Sequence, residues 1–248
     1  MSDYGKVNVI NKIIEMSAPN IQTIGEIQYS DKKLYPIDED YRAEPIETGT
    51  LSSIVSYIKD YSETDGIRFG DYMIHIESPE CVSIVSNLTS ERRREKIMEA
   101  RAKGPRFGFG NYCSNESFII GVKAMFVDDP KTDKNLVIQF AGTVTSGTVK
   151  EYGDDGITQR AQIKTGITKK DTAIVPSPCN LRPYRTFIEV EQPASEFIFR
   201  MRDGRDGVES ALFAADGGRW AIEAMQNIKK YLEEQFKKEK IDGMTIIM

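Results

Sequence analysis

The stretch from Val175 to Arg202, VPSPCNLRPYRTFIEVEQPASEFIFRMR, constrains the fold more than any other part of the chain. Pro176, Pro178 and Pro183 hold its entry extended, because proline fixes φ and pushes the preceding residue towards the β or polyproline region. Two β-rich runs follow, Tyr184 to Val190 and Glu196 to Met201. Gln192-Pro193-Ala194 between them reads as a turn, since Pro193 has no N–H to give to a ladder. The second run alternates, with Phe197 and Phe199 on one side and Glu196, Ile198 and Arg200 on the other. The expected unit is a strand pair with one apolar face, and the other elements are arranged around it.

Upstream, Val7, Ile10, Ile13 and Ile14 make a short helical stripe within Val7 to Met16, and the polar segment Asp38 to Glu47 reads as loop. Thr48-Gly49-Thr50 precedes Leu51, Ile54, Val55 and Ile58, which predicts a capped helix from Leu51 to Tyr61, ended by Gly66. Strands are predicted at Tyr72 to Ile76 and Cys81 to Val85, joined by Ser78-Pro79-Glu80. Thr89 or Ser90 is placed to cap a charged helix over Glu91 to Gly104. Ser114 is placed to cap another over Asn115 to Val127, with Phe118, Ile119, Val122, Met125 and Phe126 on its apolar side and Asp128-Asp129-Pro130 as its stop.

From Leu136 onward the pattern turns to β. Leu136 to Ala141 and Thr143 to Val149 read as strands about Gly142, and the Asp154-Asp155-Gly156 turn leads into an alternating strand, Ile157 to Ile167. The strongest helix is Trp220 to Lys238, whose Trp220, Ala224, Ile228, Tyr231, Leu232 and Phe236 share one side and are expected to cover the sheet. Met244 to Met248 reads as a short apolar strand that pairs in its own subunit or adds to a neighbour's edge. The fold class this order predicts is α+β: a largely antiparallel β-sheet with packing helices and a long C-terminal amphipathic helix. No linker divides the chain, so residues 1–248 read as a single α+β domain, helix-richer over 1–130 and β-rich over 131–248.

Composition narrows the function. A net charge of -5 argues against a generally basic nucleic-acid surface, although a local basic patch stays open. No apolar run approaches the roughly 18 residues that span a bilayer. The opening MSDYGKVNVINKIIEM lacks the apolar core of a signal peptide, so a cytoplasmic protein with no membrane partner is expected. Cys81, Cys113 and Cys179, odd in number and widely spaced, fit reduced buried thiols.

The sequence offers no convincing catalytic set, metal motif or cofactor loop, so no metal site and no cofactor are predicted. The single histidine, His75, falls on the polar side of a predicted strand. Asp154 and Asp155 lack the ligand spacing of a calcium loop. Phe107-Gly108-Phe109-Gly110-Asn111-Tyr112 is either a stacking platform or a pair of core anchors. Glu189, Glu191 and Asp216 keep a carboxylate-dependent enzyme open as an alternative.

The favoured ligand site is the arginine-rich centre: Arg182, Arg185, Arg200 and Arg202 for phosphate, with Tyr184 and Phe187 to stack on bases. The competing reading pairs these arginines with Glu189, Glu191, Glu196 and Asp206. A secondary basic patch, Arg92, Arg93, Arg94 and Lys96, lies on the predicted charged helix.

The segments EYGDDGITQRAQIKTGI from Glu151 to Ile167, the stretch from Val175 to Arg202, and ALFAADGGRW from Ala211 to Trp220 together resemble the YfdQ-like family of uncharacterised phage and prophage proteins. The similarity extends to the helix Leu51 to Tyr61 and to ESFIIGVKAMFVDD, and it is strongest from Thr143 to Trp220. It implies a phage or prophage gene expressed in the bacterial cytoplasm, and it carries no catalytic residue across. With the residues, it leads to the expectation of a non-enzymatic homo-oligomeric accessory protein that binds nucleic acid or a nucleotide-type anion through an arginine and aromatic strand surface. The alternatives are a purely structural self-assembly and sequestration of a host protein.

Overall fold

Period-two alternation builds the first sheet. Ile74 and Ile76 of one strand and Val82 and Ile84 of the next all point to the same buried side, and the 79–80 turn joins the two strands. The computed structural model describes Lys12 and residues 19–24, 27–32, 44–60, 72–88, 92–144, 150–151, 159–164 and 170–248. The predicted helix Val7 to Met16 apart from Lys12, residues 38–43 of the predicted loop, Tyr61, Gly66, the caps Thr89 and Ser90, most of Thr143 to Val149, the Asp154-Asp155-Gly156 turn and both ends of Ile157 to Ile167 lie outside the described residues.

In chain order the strands are β1 Ile21–Ile24, β2 Ile27–Ser30, β3 Ile46–Thr48, β4 Tyr72–Ser78, β5 Cys81–Ser86, β6 Lys96–Arg101 and β7 Cys113–Ser114. They continue with β8 Lys150–Glu151, β9 Gln159–Lys164, β10 Lys170–Ile174, β11 Cys179–Leu181, β12 Ser195–Gly204, β13 Gly207–Ala214 and β14 Thr245–Ile247. The helices are α1 Leu51–Asp60, α2 Asn115–Met125, α3 Lys134–Thr143 and α4 Arg219–Glu239.

Residues 1–43 and 44–248 form two units. In the first, β1 and β2 make an antiparallel hairpin in the register Ile21 with Ser30 and Ile24 with Ile27. The Asn20 N–H donates to Asp31 Oδ1 at 2.8 Å beside it.

In the second unit, one sheet has the order β14-β4-β5-β6-β3, antiparallel at its centre and with parallel strands at both edges. Helices α1 and α4 supply the apolar side chains over it: Leu51, Ile54, Val55 and Ile58 from α1, Ile228, Leu232 and Phe236 from α4. The other main sheet, β11-β12-β13-β7, is wholly antiparallel and packs with α2 and α3 through Phe118, Val122, Val137, Phe140, Phe197 and Phe199. A third sheet, β10-β9-β8, contributes Ala161 to that second core. The architecture is α+β, largely antiparallel, with a long amphipathic C-terminal helix, as the sequence predicts.

Helix ends show why the elements stop where they do. Ser114 caps α2 by accepting the Ser117 N–H at 3.3 Å. α4 ends in a Schellman motif: Ile241 N–H donates to Phe236 O at 2.9 Å, Lys240 takes the left-handed conformation, and Ile241 is buried in the same core as Phe236. Lys134, itself buried, donates from Nζ to Phe126 O at 2.8 Å and so closes the C-terminal end of α2 from the next helix.

Three predicted elements differ. Within Glu91 to Gly104 the described chain forms strand β6 in place of a helix: Met98 and Ala100 are buried two apart, opposite Ile84 and Val82. The charge pattern suits a helix, but no apolar stripe of helical spacing supports one, and sheet pairing overrides weak propensity. Leu136 to Ala141 is part of helix α3, because Lys134, Val137, Phe140 and Ala141 are the buried positions and Leu136 stays exposed. That spacing is helical. Tyr184 to Val190 is an irregular loop and not a strand, so β12 pairs with β11 and β13 and not with it. The second half of that expected pair holds: Phe197, Phe199 and Met201 are buried and Glu196, Ile198 and Arg200 alternate outward.

Candidate functional site

Gln192 makes the 184–190 loop. Its side chain is buried; Oε1 accepts the N–H groups of Arg185 and Thr186 at 3.1 and 3.4 Å, and Nε2 donates to Phe187 O and Val190 O at 2.9 and 3.1 Å. Four main-chain groups that a strand would pair in a ladder are thus satisfied by one amide. From this loop Phe187 enters the first core, where it is 1% exposed. Glu189 accepts the N–H groups of Leu51 and Ser52 at 2.7 and 2.8 Å, capping α1 from 138 residues away. Thr186 donates from its hydroxyl to Pro79 O in the β4–β5 turn. Pro183 bridges to Phe126, and the Tyr184 N–H donates to Met125 O at 2.9 Å, at the end of α2. The loop therefore ties the first core to the second.

A cleft of about 260 Å³ lies at this junction, lined by Tyr184, Arg185, Thr186 and Ile188 of the loop, Glu80 of the β4–β5 turn, Ala124 of α2 and residues 102–106 after β6. Its charged groups are Lys103, Arg106, Arg185 and the single carboxylate Glu80. Arg106 Nη2 sits 2.5 Å from Glu80 Oε2, while Ile188, 77% exposed, and Tyr184 give the cleft an apolar wall.

Arg185 is the unusual member. Its Cζ lies 4.1 Å from the Trp220 ring centroid, 5.5 Å from that of Phe197 and 5.8 Å from that of Phe109, so three rings surround the guanidinium. Nη2 donates to Ser195 Oγ, but Nε is buried without a partner, and among the described residues Arg185 makes no ion pair. Burial pulls its pKa down to about 10, and the charge of Asp216 opposes that fall. Asp216 itself is pushed up by burial, but the Ser195 hydroxyl, the Gly218 N–H and Arg185 outweigh this and hold it below the ordinary carboxylate value.

The structure divides the six predicted site residues. Tyr184 and Arg185 line the cleft. Arg182 pairs with Asp129 at 3.3 Å and Glu191 at 3.1 Å, and Phe187 is a core residue. Arg200 and Arg202 stand on the outward side of β12, where Arg202 pairs with Glu209 at 2.6 Å and lies 4.1 Å from the Tyr112 ring centroid. Lys103 and Arg106 were not among those six; the cationic pair that brackets Gly104-Pro105 is the local signal for them.

The secondary patch is spread along the β5–β6 connection rather than along a helix. Arg92 is exposed in the left-handed region, Arg93 is half-buried, and Arg94 donates to Ser86 O at 3.0 Å. Lys96 bridges Glu77 at 2.9 Å and Glu99 at 2.6 Å. Arg101 also pairs with Glu99. Glu77, Cys81 and Glu99 hold potential ligand atoms within 4.8 Å of one another, but Lys96 and Arg101 already neutralise both carboxylates. Glu189, Glu191 and Asp216 are engaged by α1, by Arg182 and by the Gly218 N–H respectively. Phe107 and Phe109 pack inward: Phe107 lies against Phe118 and Phe126, and Phe109 stacks on Phe197 with centroids 5.1 Å apart. Gly121 of α2 admits Phe107, since a Cβ there would meet its ring at 3.0 Å. Cys179 is buried, and burial raises its thiol to about 12; burial raises Cys81 and Cys113 as well. No helix among the described residues is long and apolar enough to cross a membrane.

No family model, curated protein or solved structure matches this chain.

Proposed function

We propose that the protein is a non-enzymatic binder of a compact nucleotide-type anion, held in the junction cleft. Arg185 carries this reading: half-buried, without an ion pair among the described residues and with an unpartnered Nε, it is one of the residues that line a cleft also holding Lys103 and Arg106. A desolvated cation interacts strongly with an incoming phosphate, because the cost of removing its water has already been met in folding. Tyr184 supplies a ring at the same wall for a base. A cleft of about 260 Å³ admits a mononucleotide-sized group better than a length of polymer. The phage or prophage setting implied by the resemblance is compatible with an accessory protein that holds such a ligand without transforming it.

Titration calorimetry with mononucleotides and with inorganic phosphate tests the reading. Mononucleotides are expected to bind, more tightly than phosphate alone and less tightly as salt rises. The double variant Lys103→Ala, Arg106→Ala changes exposed side chains and leaves the caged Arg185 in place; it is expected to weaken binding on the order of tenfold or more. Absence of binding by every mononucleotide and by phosphate at millimolar concentration, or binding that the double variant leaves unchanged, rejects the cleft.

A further inference from the structure

Strand β14 is an edge of the five-stranded sheet, with β4 on one side and no strand on the other among the described residues. Natural edges are commonly blunted by charge, proline or a bulge. β14, Thr245-Ile246-Ile247, carries no charge and no proline, and its register with β4 runs without a shift from Thr245 opposite Met73 to Ile247 opposite His75. Its side chains alternate. Met244 and Ile246 pack towards the first core, while Ile247 is 41% exposed and Met248, which follows the strand, is 53% exposed. Beside the strand runs a groove of about 450 Å³, with Phe236, Ile241, Met244 and Ile246 as its apolar floor. Lys229, Lys237 and Lys240 share the groove with Glu233 and Asp242.

We propose that β14 pairs antiparallel with β14 of a second copy about a twofold axis at Ile246, joining two five-stranded sheets into one of ten strands. In that register Thr245 stands opposite Ile247 of the other copy, and Met244 opposite its Met248. The exposed Met248 of each copy then comes beside the apolar floor of the other's groove. The register thus matches an exposed apolar side chain to an apolar groove within one sequence, which is the self-complementarity a twofold interface requires. The charges agree: a groove lined with one sign alone would repel its own image, whereas one holding both lysines and carboxylates can pair with it. A three-residue ladder falls short of the roughly 1,200 Å² of a stable interface, so the C-terminal end of α4 must supply the remainder. The interface is independent of any ligand in the cleft.

Native mass spectrometry and light scattering of the full chain are expected to give a dimer at concentrations up to about 100 micromolar. Met248→Lys, which sets a fourth lysine against Lys229, Lys237 and Lys240 of the other copy, is expected to weaken the dimer on the order of tenfold or more while its circular dichroism stays unchanged. A chain carrying both Thr245→Cys and Ile247→Cys is expected to cross-link between copies under mild oxidation, because those positions face each other. A monomer throughout the concentration range overturns the proposal. So does a Met248→Lys dimer as tight as the parent, and so does a folded double-cysteine chain that fails to cross-link.

Discussion

The two cores of residues 44–248 solve the same packing problem with different side chains. The first joins a mixed sheet to α1 and α4 mainly through Ile, Leu and Val, with Phe187 and Phe236 as its buried phenylalanines. The second joins an antiparallel sheet to α2 and α3 through Phe118, Phe126, Phe140, Phe197 and Phe199; Phe118 and Phe199 stack with centroids 5.2 Å apart. On the outward side of the first sheet, Lys96 pairs across the strands with Glu77 and along its own strand with Glu99; on that of the second, Arg202 lies over Tyr112. The contrast shows where the cores depend on each other. The first core needs Phe187 and the Glu189 cap, and both arrive on the 184–190 loop that is fastened to the end of α2.

Phe187→Ala is the most direct way to break that dependence. Removing a ring that is 1% exposed is expected to cost about 3–5 kcal/mol in urea unfolding. If the cores were independent, amide exchange at Phe197 and Phe199 of the second core would stay unchanged while exchange at Ile74 and Ile84 of the first rose; both are expected to rise. Gln192→Ala tests the loop itself. It leaves the Arg185 and Thr186 N–H groups and the Val190 carbonyl without their partner, Phe187 O keeping the Val190 N–H at 3.3 Å, and a loss of about 2–4 kcal/mol is expected, with weaker nucleotide binding in calorimetry because Tyr184 and Arg185 lose their support. A smaller change sharpens the comparison: Glu189→Ala removes the α1 cap and is expected to cost about 1 kcal/mol, read as faster amide exchange at Leu51 and Ser52.

The smallest expected effect concerns the outward side of the first sheet. The Ser83 hydroxyl, aided by Lys96, holds Glu77 below 4.5; Lys96 and Arg101 do the same for Glu99. Their contribution to stability is therefore present above pH 4.5 and is lost as pH falls through their lowered folded values. Lys96 is held above 10.5, chiefly by Glu99, so its contribution is present below 10.5 and is lost as pH rises through its raised folded value. Lys96→Met is expected to cost about 1 kcal/mol at neutral pH, a deficit that shrinks on acidification as the two carboxylates protonate. Thermal unfolding measured across pH checks both the size and the direction.

Part of the fold could be read locally. Helices α1, α2 and α4 and strands β4, β5 and β12 each bury one face at a period their own residues display, so their partners need not be known. Tyr184 and Arg185, which residue type and clustering single out, both line the junction cleft. Only the tertiary structure decided the rest. A run whose charges suit a helix became β6 because β5 and β3 pair on either side of it, and α3 took helical form over buried positions that β propensity obscures. The 184–190 loop depends on a single buried amide, and the cap of α1 on a carboxylate 138 residues away. Which of the arginines keeps no ion pair among the described residues is likewise set by distant partners: Arg182 finds Asp129 through the end of α2, Arg202 finds Glu209 across a strand pair, and Arg185 finds three aromatic rings. Residue type and spacing determine which face is apolar and which groups carry charge. Desolvation and pairing depend on what the fold brings alongside, and that is decided by contacts made over long separations in sequence.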